Sequence, residues 1–82
     1  MILTRRIRRV KEFVMDFSER LRELRKEKKE TQVQTAKAIE ITDRQYQRFE
    51  AGENLPGFEN LCALADHFGV TLDYLAGRTD ER

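Results

Sequence analysis

The sequence has little of what disulfide-bonded, metal-binding and membrane proteins depend on. Its 82 residues include one cysteine, one proline, four glycines and no tryptophan. A single cysteine excludes a disulfide framework and a cysteine-based zinc site. No apolar run approaches the roughly 18 residues that predict a membrane span, and there is no glycine-rich phosphate loop. We therefore expect one small cytoplasmic domain without a membrane contact, a metal or a cofactor.

Charge is abundant but unevenly distributed. Charged residues make up 38% of the chain, yet the net charge is only +1. Residues 1–30 contain 11 Lys or Arg and 6 Asp or Glu, a balance of +5, whereas residues 31–82 contain 5 and 9, a balance of −4. The first third is thus basic and the rest mildly acidic, which bears on any anionic partner.

Residues 1–16 are predicted to form a basic N-terminal extension, either a helix or an arm. Its charge comes mainly from four arginines, Arg5, Arg6, Arg8 and Arg9. Apolar residues recur at spacings of three and four from Ile7 to Leu24, which keeps them on one face of a helix. The cap-like sequence that starts at Asp16 instead favours a break there. The sequence leaves these two alternatives open.

The extension has several functional interpretations. Its arginines could contact DNA phosphates or a minor groove. Its apolar stripe of Ile7, Val10 and Val14 could pair with a second subunit. A basic amphipathic helix could also bind an anionic membrane surface, although we expect no membrane partner. Finally, Met15 could be the natural start, with residues 1–14 incidental.

Capping signals predict five helices in a single all-α domain over residues 17–78. Helix 1 covers residues 17–28. Thr31 and Thr42 each begin a capping box that is completed by glutamine, and they start helices 2 and 3. Helix 4 spans residues 58–68 with Phe58 on its apolar face, where it is predicted to lie either in the core or at a subunit interface. Helix 5 begins at Thr71 and ends at Gly77. Residues 79–82 are predicted to be a loose polar tail.

Helices 2 and 3 are the part of the domain that carries a functional prediction. The turn between them is too short for antiparallel packing, so they must cross steeply, as in a helix-turn-helix unit. The second helix of such a unit fits a DNA major groove. Tyr46 and Phe49 anchor helix 3, which leaves a polar outer face of Asp43, Arg44, Gln47 and Arg48. Arginine can pair with guanine and glutamine with adenine, whereas an aspartate repels phosphate.

The order of residues along the chain resembles the lambda-repressor-like, or Cro/Xre-type, helix-turn-helix family. The stretches that carry the resemblance are "LRELRKEK", "YQRFEAG", "NLP" and "LADHFGVTLDYLAGR", and it covers about residues 17–79. The resemblance implies a five-helix fold and a sequence-specific DNA-binding transcriptional regulator, a repressor rather than an enzyme. It also implies double-stranded DNA as the partner and a homodimer on two-fold related half-sites.

The resemblance assigns roles to individual residues. It places Asp43, Arg44 and Arg48 where family members contact bases, and Gln47 joins them from its position on the outer face. It places Thr31, Gln32, Gln45 and Asn54 near backbone phosphates, with Gln32 also bracing a side chain of helix 3. Arg25 and Glu50 match a partly buried ion pair that holds helix 3 on helix 1.

Four residues depart from the family pattern. Lys29 and Glu40 stand where the family has glycine, Glu30 replaces an apolar residue, and Thr35 replaces leucine. If the turn at Glu40 keeps a positive φ, glutamate costs on the order of 1 kcal/mol there relative to glycine.

A second interpretation is a protein-interaction module on the same fold, such as an antitoxin-like or antagonist protein. The near-neutral charge of helices 2 and 3 favours it, and a regulatory protein partner is compatible with both interpretations. Cys62 and His67 have no companions that would make a redox or metal site, so both are predicted to be structural.

Overall fold

The computed structural model describes the backbone of residues 10–82 and the side chains from Asp16 onward. In this part of the chain the elements are α1 (Val10–Glu27), α2 (Gln32–Ala38), α3 (Asp43–Glu50), α4 (Phe58–Phe68) and α5 (Leu72–Leu75). The predicted all-α architecture of five helices is confirmed.

Within the described residues, α1 runs from Val10 through Asp16 without a break, so the break predicted at Asp16 is wrong. Phe17, Leu21 and Leu24 follow one another at spacings of four and three, and all three are buried. The boundary predicted between residues 16 and 17 falls inside α1, and the functional division there stays a prediction. Arg5, Arg6, Ile7, Arg8 and Arg9 lie outside the described residues, as do the side chains of Val10 and Val14.

The core draws on every helix. α1 packs on α3 and on α5, α2 packs on α3, and α4 packs on α5. The buried apolar side chains are Phe17, Leu21, Leu24, Ala36, Tyr46, Phe49, Leu64, Ala65 and Leu75. Because burying one large apolar side chain contributes about 1.5–3 kcal/mol, α3 is fixed to the body chiefly through its two aromatic anchors.

Of the two alternatives predicted for Phe58, the core is wrong, because 72% of its surface is exposed, and a subunit interface stays a prediction. It is the first residue of α4, directly after the cap at Gly57. The core side of α4 begins one turn later, at Leu61, and continues through Leu64 and Ala65. Phe58 therefore has the correct helical spacing, but it stands past the edge of the core.

Two turns adopt left-handed conformations without glycine. Lys29 has φ 60° and Glu40 has φ 62°. In each case the next residue closes the helix end: the Glu30 amide donates to the Arg25 carbonyl at 3.2 Å and the Ile41 amide to the Ala36 carbonyl at 3.0 Å. Positions 29 and 40 thus keep the left-handed backbone that glycine would adopt, although neither residue is glycine.

The C-terminal residues lie against α1, so the prediction of a loose tail is wrong. Arg20 donates to the backbone carbonyls of Tyr74, at 3.0 Å, and Thr79, and its guanidinium stacks over the Tyr74 ring at 4.2 Å. Arg82 donates from two nitrogens to the carboxylate of Glu27. Gly77 permits the approach, since a Cβ there would come within 2.8 Å of the Asp16 Cβ at a φ of +80°.

Candidate nucleic-acid interface

The outer face of α3 is exposed and polar, as predicted. Its exposed side chains are Asp43, Arg44, Gln47 and Arg48. An open depression in this face is lined by Arg44, Gln47, Arg48, Ala51 and Glu53. Glu53 was missed in the sequence because it follows the helix and does not belong to its periodic pattern. The face thus presents two guanidinium groups and an amide between carboxylates at its two ends.

Both helices of the helix-turn-helix unit begin with a complete capping box. Thr42 Oγ1 accepts from the Gln45 amide at 3.1 Å, and the Gln45 side chain accepts in turn from the Thr42 amide at 3.2 Å. Thr31 and Gln34 form the same pair at the start of α2, at 3.1 and 2.8 Å. These caps fix where each helix starts and leave four residues, 39–42, for the turn.

The inner end of α3 is held by a cluster of hydrogen bonds on Glu50, a carboxylate that is only 3% exposed. Arg25 donates from Nε to Oε2 at 2.6 Å and from Nη2 to Oε1 at 3.0 Å. Gln32 Nε2 donates to Oε1 at 3.1 Å, and the Tyr46 hydroxyl donates to Oε2. One carboxylate therefore ties together α1, α2 and α3. We call these four residues the Glu50 cluster.

A second arginine of α1 also holds α3, and the sequence did not identify it. Arg22 Nη2 donates to the backbone carbonyl of Glu50 at 2.9 Å. Helical spacing places Arg22 on the side of α1 that faces away from the apolar stripe of Phe17, Leu21 and Leu24. α3 packs across that side of α1, so the guanidinium meets the end of α3, where a cation is favoured by the helix dipole.

The electrostatics of the Glu50 cluster follow from its burial and its donors. Burial by itself would raise the pKa of Glu50, but the hydrogen bonds from Arg25, Tyr46 and Gln32 outweigh burial and hold the pKa below its ordinary value. The hydrogen bond to Glu50 raises the pKa of Arg25. Burial raises the pKa of the Tyr46 phenol far above its usual range, with a further increase from Glu50. The cluster is thus a charged pair with a neutral phenol donor.

The predicted phosphate-binding residues lie at the starts of α2 and α3 and in the loop after α3, and one of them, Gln32, belongs to the Glu50 cluster. The Gln32 amide is half-buried and already donates one hydrogen bond to Glu50. A primary amide has two N–H donors, so one remains for an external acceptor. Thr31 and Gln45 are exposed but engaged in their capping boxes, and Asn54 is exposed in the loop after α3.

Two of the departures from the family pattern contact each other. The Thr35 hydroxyl is fully buried and donates to Glu30 Oε1 at 2.7 Å. His67 Nε2 lies 2.7 Å from the same oxygen, which joins the start of α2 to α4. Burial works to raise the pKa of Glu30, but His67 and Thr35 together hold it below its ordinary value. A polar contact thus stands where the family pattern has two apolar residues.

Other kinds of site find no support in the part of the chain that the structure describes. No helix of residues 10–82 is both long and apolar enough to cross a membrane. Among the same residues, no group of three or more His, Cys, Asp or Glu side chains is arranged to hold a metal ion.

Comparison with known proteins supplies the context for this geometry. A family model described as "Helix-turn-helix" matches residues 21–75. The transcriptional repressor RstR of the cryptic phage CTXphi in Vibrio cholerae is 44% identical over 69 residues, which is 82% of this chain and 62% of the repressor. The uncharacterized HTH-type transcriptional regulator YobD of Bacillus subtilis is 38% identical over 65 residues, 79% of this chain and 58% of the regulator.

A relative named as an activator is similar as well. The HTH-type transcriptional activator BcrR of Enterococcus faecalis is 34% identical over 61 residues, which is 74% of this chain and 30% of the activator. The chain spans less than two thirds of the length of each of these curated relatives. No solved structure matches it.

Proposed function

Because this chain belongs to the helix-turn-helix family of the Cro/Xre type, we propose that it regulates transcription by binding a specific double-stranded DNA sequence with α3 in the major groove. The observation that carries the proposal is the orientation of α3: its aromatic side is buried, and its polar side stands free with two arginines and a glutamine. A helix held in this way can approach base edges without losing its own packing.

In the proposed complex, base and phosphate contacts have separate origins. Arg44 and Arg48 donate to base edges in bidentate fashion, and Gln47 accompanies them. Gln32 donates its second amide hydrogen to a phosphate, braced by Glu50. Phosphate contacts of this kind position the protein, whereas base contacts select the sequence.

Thr31, Gln45 and Asn54 complete the proposed phosphate contacts, while Asp43 sits at the leading end of α3. A carboxylate there favours the helix N-terminus and can accept from cytosine, but it repels phosphate. Its proposed role is therefore to select against some sequences at a cost in affinity.

The active species in this proposal is a homodimer in the cytoplasm, and it represses by covering a promoter. Dimers suit inverted half-sites about one helical turn apart. The direction of regulation follows the repressor RstR, which is more similar to this chain than the activator BcrR. The proposal contains no catalytic step.

Selection from a randomised duplex pool at two salt concentrations tests the proposal. A specific binder enriches one motif, and its affinity falls as salt rises because phosphate contacts release counterions. Arg44→Ala should relax the preference at one position of the motif. Arg78→Ala is the matched control, since it removes an exposed arginine outside the α3 face and should leave the motif unchanged. A pool that returns no motif contradicts the proposal.

A protein-interaction module on the same fold is the second candidate, and one observation favours it. Large apolar side chains are exposed in the loop after α3 and at the start of α4, with Phe58 at 72% and Leu55 at 47%. On this candidate the domain would bind a regulatory protein, and the duplex pool would return neither a motif nor a salt dependence.

A further inference from the structure

Glu53 lines the depression of the α3 face beside Arg44 and Arg48, yet the proposed function gives it no role. Its side chain is exposed and makes no hydrogen bond or ion pair with the described part of the chain. Its backbone is nevertheless fixed next to α3, because Gly52 turns the chain at φ 77° and the Glu53 amide donates to the Arg48 carbonyl at 3.0 Å. The fold therefore places a carboxylate beside the arginines without using it for stability.

The position of Glu53 relative to α3 sets it apart from Asp43, the other carboxylate of the α3 face. Asp43 begins the helix, where the positive end of the helix dipole favours an anion. Glu53 follows the last turn, where the dipole favours a cation and disfavours an anion. A stabilising role thus accounts for Asp43 but not for Glu53. The charge of Glu53 instead acts on whatever the α3 face binds.

The exposed charges of the helix-turn-helix unit, residues 31–54, cancel. Glu50 is buried and paired with Arg25, so it is not among them. The exposed charged side chains are three cations and three anions: Lys37, Arg44, Arg48, Glu40, Asp43 and Glu53. Non-specific binding to DNA depends on an excess of positive charge that neutralises phosphates. Without the charge of Glu53, the unit would have such an excess.

A carboxylate beside an arginine acts differently on the two kinds of acceptor that DNA offers. The edge of guanine is uncharged, so a guanidinium that donates to it keeps its attraction to Glu53. A phosphate is an anion, and Glu53 repels it while the guanidinium donates to it. The depression encloses about 380 Å³, roughly 9 Å across as a sphere, so its charges lie within the Debye length of about 10 Å at about 0.1 M salt. Phosphate contacts of the arginines are therefore penalised more than their base contacts.

We propose that Glu53 is a specificity-determining residue, an inference that rests on the proposed function. Its carboxylate weakens the binding of the α3 face to phosphates, and hence to DNA of unrelated sequence, while Arg44 and Arg48 keep their pairing with bases. A unit charge about 7 Å from a phosphate changes binding by a factor of about three at the dielectric constant of water and about seven at half that value. Because non-specific sites compete for a regulator throughout a genome, this discrimination raises the occupancy of the specific site.

The first measurement uses a duplex of mixed sequence that lacks the selected motif, titrated by fluorescence anisotropy at about 0.05 and 0.2 M salt. Glu53→Gln removes the charge and keeps the shape, and it should bind this duplex about three- to sevenfold more tightly at the lower salt. The gain should be smaller at the higher salt, because screening is stronger. Glu53→Asp keeps the charge and should bind like the unaltered chain. Glu81→Gln is the matched control: it raises the net charge equally but lies outside the helix-turn-helix unit, so the affinity should change less than about twofold.

The second measurement uses the motif selected from the duplex pool under the same conditions. Glu53→Gln should gain much less affinity for the motif than for the mixed duplex, so the ratio of the two affinities should fall by at least about twofold. Glu53→Asp and Glu81→Gln should keep the ratio of the unaltered chain.

A fall of this ratio that is confined to Glu53→Gln supports the inference. An equal gain on both duplexes overturns it, because Glu53 would then weaken all DNA binding alike. A loss on the motif with no change on the mixed duplex overturns it as well, since Glu53 would then contact a base. An unaltered chain that selects no motif overturns the proposed function and with it this inference, whereas a chain that selects a motif while Glu53→Gln keeps the ratio overturns the inference alone.

Discussion

Truncation of Arg25 is the most direct test of how α3 is held in place. Arg25→Ala removes two hydrogen bonds to Glu50, at 2.6 and 3.0 Å, and one to the Glu30 carbonyl at 2.9 Å. The remaining carboxylate is 3% exposed in the intact chain, so water reaches it only through the space that the Arg25 side chain vacates. The breaking of a buried ion pair on one side costs about 3–5 kcal/mol. Because Tyr46 and Gln32 still donate to Glu50, we expect the lower end, about 3 kcal/mol.

The assay is urea unfolding and thermal unfolding at pH 7, each monitored by far-UV circular dichroism. For a domain of this size, a loss of about 3 kcal/mol lowers the melting temperature by roughly 12–24 °C. Arg22→Ala is the control on the same helix. It removes a single hydrogen bond to a backbone carbonyl and should cost only about 1 kcal/mol.

The pH dependence makes the test specific to the charge on Glu50. The folded-state pKa of Glu50 lies below its ordinary value of 4.5, so its contribution to stability is full above about pH 4.5 and is lost as the pH falls through the folded pKa. Without Arg25, burial is no longer offset to the same extent, and the pKa of Glu50 should rise. Protonated Glu50 carries no charge and needs no cation beside it. The difference in the free energy of unfolding between Arg25→Ala and the unaltered chain should therefore be smaller at pH 4.5 than at pH 7. The reasoning would be refuted if Arg25→Ala lowered the free energy of unfolding by less than about 1 kcal/mol at pH 7, or by the same amount at both pH values.

Three further predictions concern the α3 face, a turn and the polar contact under α2. Arg44→Ala and Arg48→Ala should each cost about 1–3 kcal/mol of discrimination at a different base position, measured by competition between motif variants. Glu40→Gly should raise the free energy of unfolding by up to about 1 kcal/mol, because φ is 62° there, while Glu40→Ala should not; equal effects in urea unfolding would contradict this. Glu30→Ala should lower the free energy of unfolding by about 1–3 kcal/mol, because it leaves the buried Thr35 hydroxyl without its acceptor. Changing both Glu30 and Thr35 to leucine should recover most of that loss, as measured by urea unfolding of the single and double variants.

The parts of the fold that could be predicted are those with a local cause. Thr31 and Thr42 define the start of α2 and α3 because a capping box involves residues only three apart. The inward face of α3 followed from the spacing of Tyr46 and Phe49, and both are buried. For these features the sequence pattern and the physical cause extend over the same few residues.

The features that escaped prediction depend on partners far along the chain. The carbonyls that accept from Arg20 lie 54 and 59 residues away, and the carbonyl that accepts from Arg22 lies 28 residues away. Helical periodicity shows that Arg20 and Arg22 lie off the apolar face of α1. It cannot show which other part of the chain packs over them. The prediction of a core position for Phe58 is wrong for a related reason. Helical spacing shows which way a side chain points but not how far along the helix the core extends.

Glu30 and Thr35 illustrate a further limit of reasoning one residue at a time. Each, taken alone, replaces an apolar residue by a polar one and predicts a loss of packing. In the structure they satisfy each other, and His67 joins them. Such a pair is tolerated because its two members contact each other, and a single sequence does not show that contact.

The two left-handed corners that bracket α2 offer practical help for all of these experiments. Lys29 and Glu40 are exposed and sit at opposite ends of the helix, so glycine at both should give additive gains in the stability of the fold. A background strengthened in this way could keep Arg25→Ala folded at ordinary temperature. The contribution of the Glu50 cluster to DNA recognition could then be measured apart from its contribution to folding.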